Sequence, residues 1–173
     1  MNRIGEMKAY LETEKEAFLQ KRLSEMAQAC NKSCGESGKD LCCVMERLAQ
    51  REGGVFGISF LRSSYITGKH VFYVAHYLDD PFVEEAPEAV CLSIAGLFDK
   101  AEADSAALAE KLEGKFIRMY PGIREEIRRW YLDGLYERMD GVFTELLRDM
   151  WKEEGREVLY GGYMGEQKIL GRI

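Results

Sequence analysis

Several things are scarce in this sequence of 173 residues, and each scarcity removes a class of function. Apolar runs are short although 46% of the residues are hydrophobic, so no segment reads as a membrane span. Basic residues number 24 against 30 acids, a formal charge of −6. That balance argues against a general nucleic-acid binder, which needs a concentrated positive face. Histidine occurs only twice. Missing too are a glycine-rich phosphate loop with lysine, a dinucleotide fingerprint, a nucleophile elbow and a zinc-protease signature. The first twenty residues place acids every few positions and hold no apolar stretch ending in small residues, so a cytoplasmic protein is expected. No linker divides the chain, and residues 1–173 read as one domain.

What is present is strong periodicity. From Ile4 to Cys30 apolar residues recur at three, four and seven positions with Glu and Lys between them, an amphipathic helix. A second helix is expected from about Asp40 to Arg51, with Gly53-Gly54 closing it. The period then drops to two. Val55 to Ile66 and His70 to Leu78 are rich in β-branched and aromatic residues, so an antiparallel hairpin over about 55–78 is expected, with Gly68-Lys69 as its tight turn. That turn would set Phe60 opposite Tyr77, Arg62 opposite Ala75 and Ser64 opposite Tyr73. A third strand is expected over about 158–164. Pro87 is placed to open a helix carrying Val90, Ile94, Leu97 and Phe98, followed by a helical stretch from Ala101 to Leu112.

From Pro121 to about Glu154 apolar pairs recur every four residues. A straight helix of that length would measure about 45 Å and overhang a globule of this size. Either it bends near Asp140-Gly141, or a second subunit covers the protruding end, which makes a homodimer the expected assembly. The fold class is therefore α+β and mostly helical, with the hairpin and a C-terminal strand packed by long amphipathic helices.

Five cysteines in a reducing compartment raise metal binding or thiol reactivity before disulfides. Cys30, Cys34, Cys42 and Cys43 have loosely zinc-like spacing, yet Cys30 continues an inward stripe while Cys43 points away from its helix's apolar face, so neither a metal nor another cofactor is expected. Cys43 itself would lie in the first turn of the second helix with Lys39 and Arg47 four residues to either side, an arrangement that favours a thiolate. Either His70 or His76 would serve as its base only if the fold brought one near.

Arg62 is the second feature. In the expected register it shares a face with Phe56, Ile58, Phe60, Tyr73 and Tyr77. If that face is buried, the guanidinium needs an anion, and Arg62, Tyr73 and Tyr77 become a ligand-binding set; if it lies near the solvated end of the sheet, it snorkels. The acids Asp79, Asp80, Glu84, Glu85 and Glu88 read as a solvated loop, without the alternating ligands of a calcium site. Two function classes follow. One is a non-catalytic binding or regulatory module for a protein or an anionic small ligand, since no catalytic set assembles. The other is a thiol-dependent redox or electrophile sensor, or a cysteine enzyme, centred on Cys43.

Overall fold

A computed structural model describes residues 3–32, 36–50, 53–78, 81, 83, 88–93, 98–116 and 121–173. The first helix, α1, runs Arg3–Lys32 and the second, α2, Glu36–Leu48. Strand β1 is Val55–Phe60, a five-residue helix α3 is Ser63–Thr67, β2 is Val71–Tyr77 and β3 is Glu88–Ser93. Helices α4 (Ala101–Lys115), α5 (Ile123–Glu137) and α6 (Asp140–Leu146) precede the terminal strands β4 (Glu157–Gly162) and β5 (Gln167–Arg172). The α+β, mostly helical class is thus observed. No described helix is long and apolar enough to cross a membrane.

The strands form one sheet in the order β3-β2-β1-β4-β5. β1 is central, antiparallel to β2 and parallel to β4, so its backbone is paired on both sides. Its sequence VFGISF is accordingly apolar or small throughout, as strands enclosed on both sides tend to be. Opposed residues on neighbouring strands share a face. One face carries Phe56, Ile58, Phe60, Phe72, Val74, His76, Leu92, Val158 and Tyr160. The helices cover this face: Phe143 of α6 meets Phe72 and Tyr160, and Tyr136 of α5 stacks on Phe60. The thiol of half-buried Cys42 on α2 reaches the Leu146 carbonyl at 3.8 Å, placing α2 beside α6 on the same side.

The β1–β2 pair lies within the expected 55–78 hairpin, but its register differs. Phe60 pairs with Phe72 and Val55 with Tyr77, because residues 61–70 form a loop containing α3 where a Gly68-Lys69 turn was expected. Gly68 is left-handed (φ 65°) but serves as the cap of α3, where its N–H donates to Ser64. Burial decides the register: it puts Phe56, Ile58 and Phe60 beside Phe72 and Val74 on the face that the helices cover. Gly54, at φ 78°, enters β1 where a Cβ would stand 2.0 Å from the Tyr77 carbonyl oxygen, so this backbone approach requires glycine.

Two further elements differ from expectation. Residues 88–93 are strand, not the helix that Pro87 suggested; Val90 and Leu92 alternate with Ala89 and Cys91, and the segment satisfies the outer backbone groups of β2. Pro87 itself, with Ile94 and Leu97, lies outside the described residues. The expected C-terminal strand is β4, and β5 is an additional one that pairs with it through an irregularity at Val158/Leu159. The long C-terminal helix does break, at Arg138-Met139, where Arg138 N–H and Met139 N–H donate to carbonyls three residues back. The break is the first of the two alternatives that the length argument left open.

Candidate binding surface and buried polar clusters

The second sheet face bears Val55, Gly57 and Ser59 of β1, Tyr73, Ala75 and Tyr77 of β2, Ala89 and Cys91 of β3, Leu159 and Gly161 of β4, and Gln167 and Ile169 of β5. Among the described residues, no helix packs on it. Small residues form its floor and tyrosines stand over them: the Tyr77 ring lies over Gly57, at 3.0 Å from where a Cβ would be. Tyr73 meets Tyr163, which follows β4, edge to face at 5.3 Å. Burial pushes the Tyr77 phenol up to about 12, with Tyr73 and Tyr163 adding to the shift, and burial also raises Tyr73, so these hydroxyls stay protonated donors at neutral pH. Gly161 lets the β4–β5 turn fold back, since a Cβ there would stand 2.1 Å from the Glu166 carbonyl oxygen.

The face is nearly uncharged. Among described strand residues on it, only Glu157 and Arg172 carry charge, and they pair with each other at 3.0 Å. Ile169 is 63% exposed and Tyr163 51%. The structure therefore brings together Tyr73 and Tyr77 of the expected set and adds Tyr163. Arg62 is not on this face. It lies beyond β1, exposed, as the residue that precedes α3, because the strand ends at Phe60. Tyr163 was missed because the sequence pattern gives no sign that the chain after β4 folds back over the neighbouring strands.

Cys43 is exposed on α2. The helix begins at Glu36, four residues earlier than expected, so Cys43 sits beyond the first turn, where the helix dipole acts most strongly. Both histidines are buried while the thiol is outside. Cys34 and the side chains of Cys30 and Lys39 lie outside the described residues, as do the loop acids Asp79, Asp80, Glu84 and Glu85.

Two buried polar clusters lie on the helical side. In one, the Arg22 guanidinium of α1 donates to Asp104 of α4 through Nε at 2.6 Å and Nη2 at 2.8 Å. Tyr131 of α5 donates to the same carboxylate at 2.8 Å, and Glu25 accepts from Arg22 Nη1 at 2.6 Å. This cluster ties three helices together. In the other, His70 Nδ1 bonds the Tyr136 hydroxyl at 2.8 Å, and its ring stacks on Phe98 with centroids 4.2 Å apart. Glu102, held by Arg128 through two bonds of 2.7 Å, lies 3.8 Å from His70 Nε2. Ser64, beneath α3, shares the Tyr136 hydroxyl.

Burial lowers the His70 pKa below its ordinary 6.5; Glu102 opposes the shift and Arg128 adds to it. The unfolded chain therefore takes up the proton first as pH falls, and the native state loses stability below about pH 6.5. His70→Asn should flatten this part of the stability–pH curve. Urea denaturation across the acid limb, comparing the two proteins, measures it, and parallel curves would refute it. His76 is also buried, donating from Nε2 to the Gly53 carbonyl at 2.9 Å, with no hydrogen-bond partner for Nδ1 among the described residues.

Comparison of the chain with protein-family models, curated proteins and solved structures finds no match.

Proposed function

We propose that this protein is a non-catalytic binding module that engages a protein partner through the tyrosine-bearing face of its sheet. The single observation carrying this reading is the one-sided arrangement: among the described residues the helices cover one face, and on the other Tyr163 and Ile169 are exposed and Tyr73 and Leu159 half-buried around a buried Tyr77. Tyrosine combines a large apolar ring with a hydroxyl donor, the combination enriched where proteins dock. The charge pattern favours a protein over a small anion. Arg62, the cation that an anionic ligand would need, is off this face, and Arg172 is neutralised by Glu157. A neutral surface of rings and aliphatic groups suits a partner offering the same.

The test is a hydrogen-exchange footprint. Peptides selected from a phage-displayed random library against the full chain should slow exchange within residues 73–77, 159–163 and 167–171. Protection confined to α1 and α4, or self-association with no peptide bound, would refute the reading.

A further inference from the structure

The loop between β1 and β2 has properties that the open face does not explain. α3 carries Ile66 at 81% exposure, with Arg62 exposed one helical turn before it and Lys69 exposed just past the Gly68 cap. A lone exposed isoleucine is ordinary. This one stands on a turn held from several sides. Gly68 N–H donates to the Ser64 carbonyl at 3.0 Å, Thr67 Oγ1 to the Ser63 carbonyl at 3.0 Å, and Lys69 N–H to Thr67 Oγ1 at 3.3 Å. Ser64 Oγ bonds both the N–H and the carbonyl of Val71 at 3.3 Å, and Ser64 also shares the Tyr136 hydroxyl with His70. The apolar tip is thus ordered before any partner arrives, which cuts the entropy lost on binding.

Charge marks the same segment. Residues 53–78 contain Arg62 and Lys69 and not one Asp or Glu, in a chain that holds 30 acids. Neither cation forms an ion pair among the described residues, whereas Arg124, Arg138 and Arg148 each pair with a glutamate. Glu102, close to His70, is held by Arg128, and at physiological salt the field of more distant acids decays over about 8 Å, so Arg62 and Lys69 leave the knuckle locally positive despite the overall −6. A neighbouring apolar element lies at the same end of the sheet. Tyr163 N–H donates to the Phe60 carbonyl at 3.1 Å, and the next residue, Met164, is 65% exposed with φ 57°.

We propose that the α3 knuckle docks into an apolar pocket rimmed by carboxylates on a partner protein, with Ile66 as the inserted anchor and Arg62 and Lys69 meeting the rim. The proposal rests on the reading of the chain as a protein-binding module and adds the partner's chemistry. An anionic membrane offers the same charge but fits less well: two cations contribute only about 1 kcal/mol each at such a surface, and a broad membrane faces the acidic remainder of the chain as well.

The test uses phage-displayed random peptides selected on the full chain, with affinities measured by fluorescence anisotropy. Among the recovered peptides one class should be acidic around an apolar centre. For that class Ile66→Ser, and separately the double reversal Arg62→Glu with Lys69→Glu, should each weaken binding about tenfold or more, and Lys8→Ala on α1 should leave it unchanged. All these side chains are exposed, and circular dichroism checks that each variant folds. Recovery only of peptides weakened by Ile169→Asp alone would overturn the knuckle and keep the open face. The absence of an acidic class, or no enrichment, would overturn the knuckle too. So would co-sedimentation with vesicles of equal parts phosphatidylcholine and phosphatidylserine that Ile66→Ser abolishes.

Discussion

Asp104→Ala should lower the stability of this protein by about 3–5 kcal/mol, read as a drop in the urea midpoint at unchanged slope. The size follows from what the substitution leaves behind. Arg22 is buried in the helical layer and directs two of its donors at Asp104, while Tyr131 gives its hydroxyl proton to the same carboxylate. Without that carboxylate, Glu25 alone faces a buried guanidinium, and the Tyr131 hydroxyl loses its acceptor. Burial first, and then the Asp104 hydrogen bond, raises the Tyr131 pKa, so the phenol cannot relieve the site by ionising near neutral pH. Replacing both ends, with Arg22→Met and Asp104→Leu, should restore most of the loss, because no charge is then left unpaired. Exposed pairs set the contrast. Arg138–Glu16, at 2.6 Å between two exposed side chains, should contribute no more than about 1 kcal/mol. A loss that small for Asp104→Ala would show that the cluster is solvated and not a clasp.

Tyr136→Ala should cost a similar amount, about 3–5 kcal/mol, for a different reason. The Tyr136 ring sits among Phe60, Phe72 and Phe98 with centroid distances of 5.4, 5.5 and 5.1 Å, so its removal opens a cavity at the junction of α5 with the sheet. Tyr136→Phe keeps the ring and removes only the hydroxyl. It should cost about 1–3 kcal/mol, because His70 Nδ1 and Ser64 lose a buried hydrogen-bond partner. The ratio of the two losses separates packing from polar satisfaction. Equal losses would mean that the hydroxyl, not the ring, dominates this junction. The Tyr160 hydroxyl, which donates to the Tyr136 carbonyl, is untouched by either variant and holds the backbone in place for the comparison.

Much of the fold is legible along the chain. The stripe Leu11, Leu19, Met26 marks the inner side of α1, and those residues are buried. VFGISF and VFYVAHY read as strands and are strands. The four-residue spacing between Ile123 and Trp151 signals that one straight rod will not serve, and the chain breaks at Arg138-Met139. The misread elements share a cause. Pro87 is a local helix signal, but residues 88–93 satisfy the free edge of β2, and backbone hydrogen bonding across the sheet outweighs that preference. Likewise Gly68-Lys69 reads as a two-residue turn, but burial of Phe60 beside Phe72 sets another register.

The candidate surface divides the same way. Tyr73 and Tyr77 share a face by strand period alone, whereas Tyr163 joins them only because Gly161 lets the last hairpin fold back. Arg62 was expected on that face and lies on the knuckle, since a strand that ends two residues earlier releases it.

By itself, then, the sequence determined the class of each main element and the inward stripe of α1, because side-chain period is set by backbone geometry within a few residues. It also settled the uneven charge, with an acid-free segment in an acidic chain. Only the tertiary structure decided the strand order, which face the helices cover, and the meeting of Arg22 with Asp104 across 82 residues. Those outcomes depend on burying apolar surface and pairing buried polar groups, and both requirements are met between segments far apart in the chain.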